Sequence, residues 1–189
     1  MPTNPILDAT DLLDRERVDY VLIGGSAAIL HGAAYVTQDV DFCCSRESEN
    51  LDRIARALNT VNPRFRVLGL PEGMPTKLDI RTLRNGDSFA FITDIGFVDI
   101  RFSVDGIGSY DAVLAMSSVE EFGEHRLRML SIDGLIQCKT AIGRPRDLAL
   151  LPELEMMREA EHLRQRTVAK ARAPEDADVD IDRKRGRSR

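Results

Sequence analysis

No run of apolar residues in this 189-residue chain approaches the ~20 that a bilayer-spanning helix needs, so no segment reads as transmembrane. The N-terminus also lacks the basic-then-apolar layout of a signal peptide, because Asp8, Asp11 and Asp14 interrupt it. Cysteine is scarce. Cys43, Cys44 and Cys138 show no metal-ligand spacing and form no even disulfide set. A reducing cytoplasm is therefore the expected compartment, and the adjacent Cys43 and Cys44 read as small core hydrophobes. Positive charge is in deficit, with 26 Lys and Arg against 31 Asp and Glu, a formal net charge of −5. Bulk electrostatics therefore do not recruit nucleic acid, and any polyanionic partner must find a local basic patch. No internal repeat is visible.

The length suits one domain, or one domain with an appendage. The 43% hydrophobic content can supply a core and the 30% charge a soluble surface. Ile6, Ala9, Leu12 and Leu13 share one face of an expected helix over residues 4–17, with Thr3 as its cap and Pro5 in its first turn. The continuous apolar run at 20–24 predicts a strand buried on both faces. A short helix from Ser26 to His31 follows, stopped by Gly32. A second strand covers 40–44. Leu51, Ile54 and Leu58 then repeat at helical spacing.

Further on, a strand at 64–68 leads into a Gly/Pro-rich loop over 69–75 and a short helix over 76–84. Strands at 88–93 and 97–102 flank Asp94-Ile95-Gly96. Residues 109–116 look helical, and a hairpin around Gly123 has 126–130 as its outgoing arm. Ser131 caps a helix that Gly143 ends. Residues 145–151 and 152–166 form two helices or one kinked at Pro152. This alternation gives an α/β (α+β) architecture with three parts: a core over 1–130, C-terminal helices over 131–166, and a charged tail over 167–189 expected to be disordered.

The chemistry concentrates in Gly24-Gly25, followed after thirteen residues by Asp39-Val40-Asp41-Phe42. A glycine pair after a strand lets backbone approach a phosphate with no side chain in the way. The helix N-terminus at Ser26 adds unpaired amides and a positive dipole end. On the next strand, Asp39 and Asp41 point one way, since side chains two apart share a face. A third carboxylate between apolar neighbours is Asp99, in Val98-Asp99-Ile100; Asp79, Asp94 and Asp105 compete for this place without the same flanks in a strand. Hard oxygen ligands of this kind favour Mg2+ or Mn2+. Two such ions roughly 3.5–4 Å apart can activate an attacking hydroxyl and stabilise a leaving pyrophosphate.

Each of these residues also has a plainer explanation. An exposed strand face accounts for most Asp-x-Asp pairs, and Gly24-Gly25 alone could be a tight turn. His31, before Gly32, reads as a capping or packing histidine rather than a base. Lys139 near a helix end suits the helix dipole as well as a phosphate. Arg144, Arg146 and Asp147 can satisfy one another and the helix termini. The basic run Arg183–Arg189 suits a solvated tail, or a nucleic-acid contact whose affinity would fall steeply with salt.

Taken together, the glycine pair, the Asp-x-Asp strand and the distal Asp99 resemble the polymerase-beta-type nucleotidyltransferase superfamily over about residues 18–155. The sequence is similar in particular to the small members related to AbiEii-type toxins. His31-Gly32, Thr37-x-Asp-x-Asp, Glu49-Asn50-Leu51, Leu135-Ile136-x-x-Lys139 and Gly143-Arg144-Pro145-Arg146-Asp147-Leu148 carry that likeness. The resemblance implies a nucleotidyltransferase-like mixed sheet flanked by helices. It implies Gly24, Gly25 and Ser26 at the triphosphate, Asp39, Asp41 and Asp99 on Mg2+ or Mn2+, and Lys139 as a phosphate or structural cation. The implied activity moves a nucleoside monophosphate from an NTP to a hydroxyl of a tRNA, a protein or a small molecule, releasing pyrophosphate. A toxin working with a cognate antitoxin fits the same group.

There are two departures. Gly25 stands where serine is usual, with Ser26 after it, and Tyr35 stands where the small members carry arginine. The second departure motivates an alternative, a catalytically degenerate relative that binds a nucleotide or partner as a regulator or antitoxin.

Overall fold

The computed structural model describes residues 4–172, and side chains through residue 167. The elements run α1 (Pro5–Arg15), β1 (Tyr20–Ile23), α2 (Gly24–His31), β2 (Asp39–Cys44), α3 (Ser48–Asn59), β3 (Arg64–Val67), β4 (Leu70–Pro75), α4 (Ile80–Arg84), β5 (Ser88–Thr93) and β6 (Gly96–Arg101). They continue with β7 (Ser103–Val104), β8 (Gly108–Ser109), α5 (Tyr110–Ala115), β9 (Ser117–Phe122), β10 (His125–Leu130), α6 (Ile132–Ile142) and α7 (Pro145–Arg172). Eight strands form one mixed sheet in the order β4-β3-β5-β6-β2-β1-β10-β9, while β7 and β8 make a separate pair. Two neighbouring pairs are parallel, β2 with β6 and β1 with β10; the others in the large sheet are antiparallel.

The alternation of side chains along β2 and β6 divides the sheet by chemistry. Val40, Phe42, Val98 and Ile100 are buried on one face, while Asp39, Asp41 and Asp99 occupy the other. The apolar face is tied to α1: Tyr20 meets Phe42 edge-on at 5.1 Å between centroids, and its hydroxyl donates to Asp14 of α1 at 3.0 Å. Asn50, at the start of α3, accepts from the Asp19 N–H at 2.7 Å and donates to the carbonyls of Asp19 and Ser45. One buried amide thereby fixes the ends of β1 and β2, which gives the Glu49-Asn50-Leu51 motif a structural role.

Several boundaries differ from those expected from the sequence. Asn4 caps α1, its side chain accepting from the Ile6 N–H at 3.0 Å; Thr3 lies outside the described residues. The glycine pair does not precede α2 but forms its first turn, because Gly24 adopts φ +65° directly after the strand. The Gly/Pro-rich segment after Gly69 is no loop: Leu70–Pro75 pairs with β3 as an edge strand, where proline without an N–H is tolerated. The helix expected over 76–84 shortens to Ile80–Arg84, since Asp79 caps it. Residues 145–166 lie in one helix running through Pro152, with Leu150 and Leu154 buried on either side of the proline.

Free Cys43, Cys44 and Cys138 are all buried. Among the described residues no helix is long and apolar enough to cross a membrane. The charged tail expected to be disordered from residue 167 is helical over its first residues, since α7 continues to Arg172; the rest of it, with the Arg183–Arg189 run, falls outside the described residues.

Candidate active site

Gly24 sits where a side chain is strained and crowded. Its φ of +65° disfavours any side chain, and a Cβ there would stand 2.4 Å from Asp41 Oδ2. Gly25 is confined from the other side, where a Cβ would lie 2.7 Å from the Tyr35 ring and 3.0 Å from Thr37 Cβ. The first turn of α2 is thus pressed against β2, with no side-chain cap at its N-terminus. Its free backbone amides open into a cleft of about 1000 Å3. Asp39, Asp41, Asp99, Gly24, Gly25 and Lys139 all line that cleft.

The carboxylates are assembled by strand register. Asp41 pairs directly with Asp99 across the parallel β2–β6 ladder, and Asp39 pairs with Phe97 two residues before it. Parallel neighbours in register carry their side chains on the same face, so the three acids occupy one patch of sheet. Their environments differ. The Asp39 side chain is 32% exposed, that of Asp41 18% and that of Asp99 10%. Burial, with the nearby Asp99 charge, pushes the Asp41 carboxyl up to about 6 against the pull of Arg101. Burial also raises Asp99, a shift opposed by Arg66 and reinforced by Asp39.

Two arginines answer this negative charge. Arg66 donates to Asp39 Oδ1 at 3.1 Å and to both Asp99 oxygens at 3.1 and 3.2 Å, its guanidinium over the Phe97 ring. Arg101 Nε lies 3.9 Å from Asp41 Oδ1. Among the described residues, no group of three or more His, Cys, Asp and Glu side chains is drawn together as metal ligands. The donor set nevertheless suits a hard divalent cation: it is all oxygen, and it already holds a cation in the form of the Arg66 guanidinium.

A second charged cluster stands in the cleft wall. Lys139 of α6 is 6% exposed and donates to Asp147 Oδ1 of α7 at 2.5 Å, while Arg144 donates to Asp147 Oδ2 at 2.7 Å. Burial works to raise the Asp147 carboxyl, but these two cations hold it below its ordinary value. The Tyr35 ring lies 5.4 Å from Lys139 Nζ. Tyr35 thus stands between Gly25 and a lysine that lines the same cleft.

Other sequence candidates are placed elsewhere. Ser26 is fully buried, and its hydroxyl donates to the Asp39 carbonyl at 3.0 Å, so it joins α2 to β2 instead of facing the cleft. His31 Nε2 is bonded to the Leu130 carbonyl at 2.8 Å, a packing role. Asp79 accepts from the Thr82 N–H as a helix cap, and Asp94 from the Asn62 amide. Asp105 does line the cleft. Arg66 and Arg101 were not singled out from the sequence. Arg101 was legible, two residues after Asp99 and hence on the same face. Arg66 was not, since two strands separate β3 from β2.

No family model matches the chain, and no curated protein does. Solved structures do. The lincosamide antibiotic adenylyltransferase LnuA, bound to lincomycin, is 12% identical with a TM-score of 0.52 over 81% of this chain and 96% of that one. A putative nucleotidyltransferase from Thermotoga maritima is 16% identical (TM-score 0.43, 86% and 92% covered). The antibiotic-resistance factor ANT(2'')-Ia is 15% identical (TM-score 0.47, 88% and 94% covered). The likeness to LnuA is one of fold: this chain has a nucleotidyltransferase-like mixed sheet flanked by helices, with a C-terminal helix.

Proposed function

We propose that the chain is a metal-dependent nucleotidyltransferase. The observation that carries this reading is the register pairing of Asp41 with Asp99 directly against a glycine where a Cβ would touch Asp41. That combination supports a site for a triphosphate and a divalent ion rather than an exposed strand face. In this reading Asp39, Asp41 and Asp99 hold Mg2+ or Mn2+. Bound there, the ion would supply charge neutralisation at the transferring phosphorus and acidify the acceptor hydroxyl. The backbone N–H groups of Gly24 and Gly25 receive phosphate oxygens at the positive end of α2. Lys139, fixed by Asp147 and resting against Tyr35, places a cation in the wall beside them. The acceptor oxygen joins the α-phosphorus, the bond to the β-phosphate oxygen breaks, and pyrophosphate leaves.

The acceptor is a tRNA end, a protein hydroxyl or a small molecule; the structural likeness to a lincosamide adenylyltransferase supports the last of these. The Lys139 and Gly143–Leu148 motifs support placement near AbiEii-type toxins, with a toxin role beside a partner antitoxin in the cytoplasm. The test is transfer of labelled nucleoside monophosphate, with Mg2+, to a panel of tRNA, extract protein and small-molecule acceptors. Asp39→Asn/Asp41→Asn should reduce transfer on the order of 10^3-fold or more, as the loss of ion-binding charge requires. Wild-type-level transfer by that double variant would exclude the mechanism. Tight NTP binding indifferent to Mg2+, with no transfer, would favour the non-catalytic regulator instead.

A further inference from the structure

The Arg66 guanidinium bridges Asp39 and Asp99, two of the three carboxylates that the proposed function assigns to a divalent ion. Three of its contacts engage the oxygens such an ion would need, at 3.1 to 3.2 Å. A monovalent cation of the protein itself thus competes for the site. How it gets there is informative. In sheet order only β5 lies between β3 and β6, the strand that carries Asp99, and one step beyond the Phe65–Phe91 pair sets Arg66 opposite Ala90, on the charged face. The register of β3 against β4 shifts between Phe65, opposite Met74, and Val67, opposite Leu70, so the extra residues lie in β4, across from Arg66. Pairing of β3 with β5 also ends at Phe65, whose ring stacks on Phe91 at 5.4 Å. Beyond that anchor, Arg66 is carried by the β3–β4 hairpin alone. Ala90, in register with Asp99, puts only a methyl on the intervening strand.

We infer that Arg66 couples nucleotide binding to metal binding, holding Asp39 and Asp99 in the empty site and passing to a phosphate of the incoming nucleotide. This rests on the nucleotidyltransferase reading. The transfer conserves the pairing chemistry, because a guanidinium fork fits a phosphate as well as a carboxylate. Arg66 lines the same cleft as Gly24 and Gly25 and is 36% exposed, so it can exchange partners without unfolding anything buried. Once it leaves, two carboxylates become free and negative for the ion. Metal and nucleotide should then each tighten the other by the same factor, as linkage demands.

The test follows free Mn2+ by electron paramagnetic resonance, with and without a nonhydrolysable NTP analogue. It compares wild type, Arg66→Gln and Arg66→Lys, whose folding is checked by circular dichroism and thermal melts. Without nucleotide, Arg66→Gln should bind Mn2+ about tenfold more tightly than wild type, the effect of losing a partly exposed cation bridged to two ligands. Its affinity for the analogue should fall, and the mutual enhancement of Mn2+ and analogue should shrink towards one. Arg66→Lys should lie between, keeping charge but losing the fork. Unchanged or weaker Mn2+ binding by folded Arg66→Gln, while wild type binds Mn2+ and transfers nucleotide, overturns this inference alone. Failure of both proteins to bind Mn2+ with or without the analogue overturns the proposed function as well.

Discussion

Asp41 is under two opposed demands. It must be ionised to hold a cation, yet burial, with Asp99 next to it, raises its carboxyl to about 6. A carboxyl whose folded value is raised stabilises the fold only while protonated. That contribution is complete below the ordinary value of 3.8 and is lost as pH rises through about 6. The strain at pH 7.5 is on the order of 2–3 kcal/mol in the ligand-free protein. Asp41→Asn should therefore raise the melting temperature of the ligand-free chain at pH 7.5 and leave it nearly unchanged at pH 4. Thermal melts across pH measure this directly; equal shifts at both pH values would contradict the burial argument. Gly24 presents the complementary case. Gly24→Ala forces a Cβ to 2.4 Å from Asp41 Oδ2 at a positive φ. It should cost roughly 1–3 kcal/mol and lower nucleotide affinity measured by calorimetry, whereas Ala27→Gly, on the same short helix, should not lower that affinity.

Helices and strands bring these residues together by two devices of very different visibility. The first is alternation. Asp39 shares a face with Asp41, and Asp99 with Arg101, because each pair is two apart on one strand, and sequence alone reveals that much; the β2–β6 register then merges the two pairs. The second is tertiary. Lys139 on α6 and Asp147 on α7 meet as a buried pair that fastens the two helices, and Arg144 completes it. Lys139→Met leaves the Asp147 charge buried with one exposed partner, so it should destabilise the protein by about 3–5 kcal/mol. Denaturant melts would show this, and Lys139→Met/Asp147→Leu should recover part of the loss, since no orphaned charge remains. A Lys139→Met protein as stable as wild type would assign the lysine to ligand contact alone.

The sequence reading erred where local signals misled. Gly69 and two prolines suggested a loop where an edge strand forms, because pairing with β3 outweighs poor strand propensity. Arg66 was invisible because the strand order that sets β3 only one strand from β6 has no signature in one sequence.

At the scale of the whole molecule, one mixed sheet turns an apolar face to α1 and a charged face to the cleft, so ligand binding and stability are linked. On the charged face Asp41 and Asp99 resist burial in the ligand-free chain, and the neighbouring carboxylates repel them further. A divalent ion bound there with an NTP analogue removes that penalty and adds its own binding energy. At a hundredfold excess over the dissociation constant, the gain is about 2.7 kcal/mol, or roughly 5–10 °C in melting temperature for a domain of this size. The gain should depend on pH in a particular direction. Burial raises the Asp41 carboxyl to about 6, so at pH 5 the ion must displace a proton, which weakens its binding about tenfold and should cut the shift to roughly half. Differential scanning fluorimetry with Mn2+ and a nonhydrolysable NTP, at pH 7.5 and 5, reads both values in one experiment. Asp41→Asn should show neither the shift nor its pH dependence. A stabilisation of equal size in Asp41→Asn would mean that the nucleotide binds away from the paired strands, and the cleft would lose its claim to be the active site.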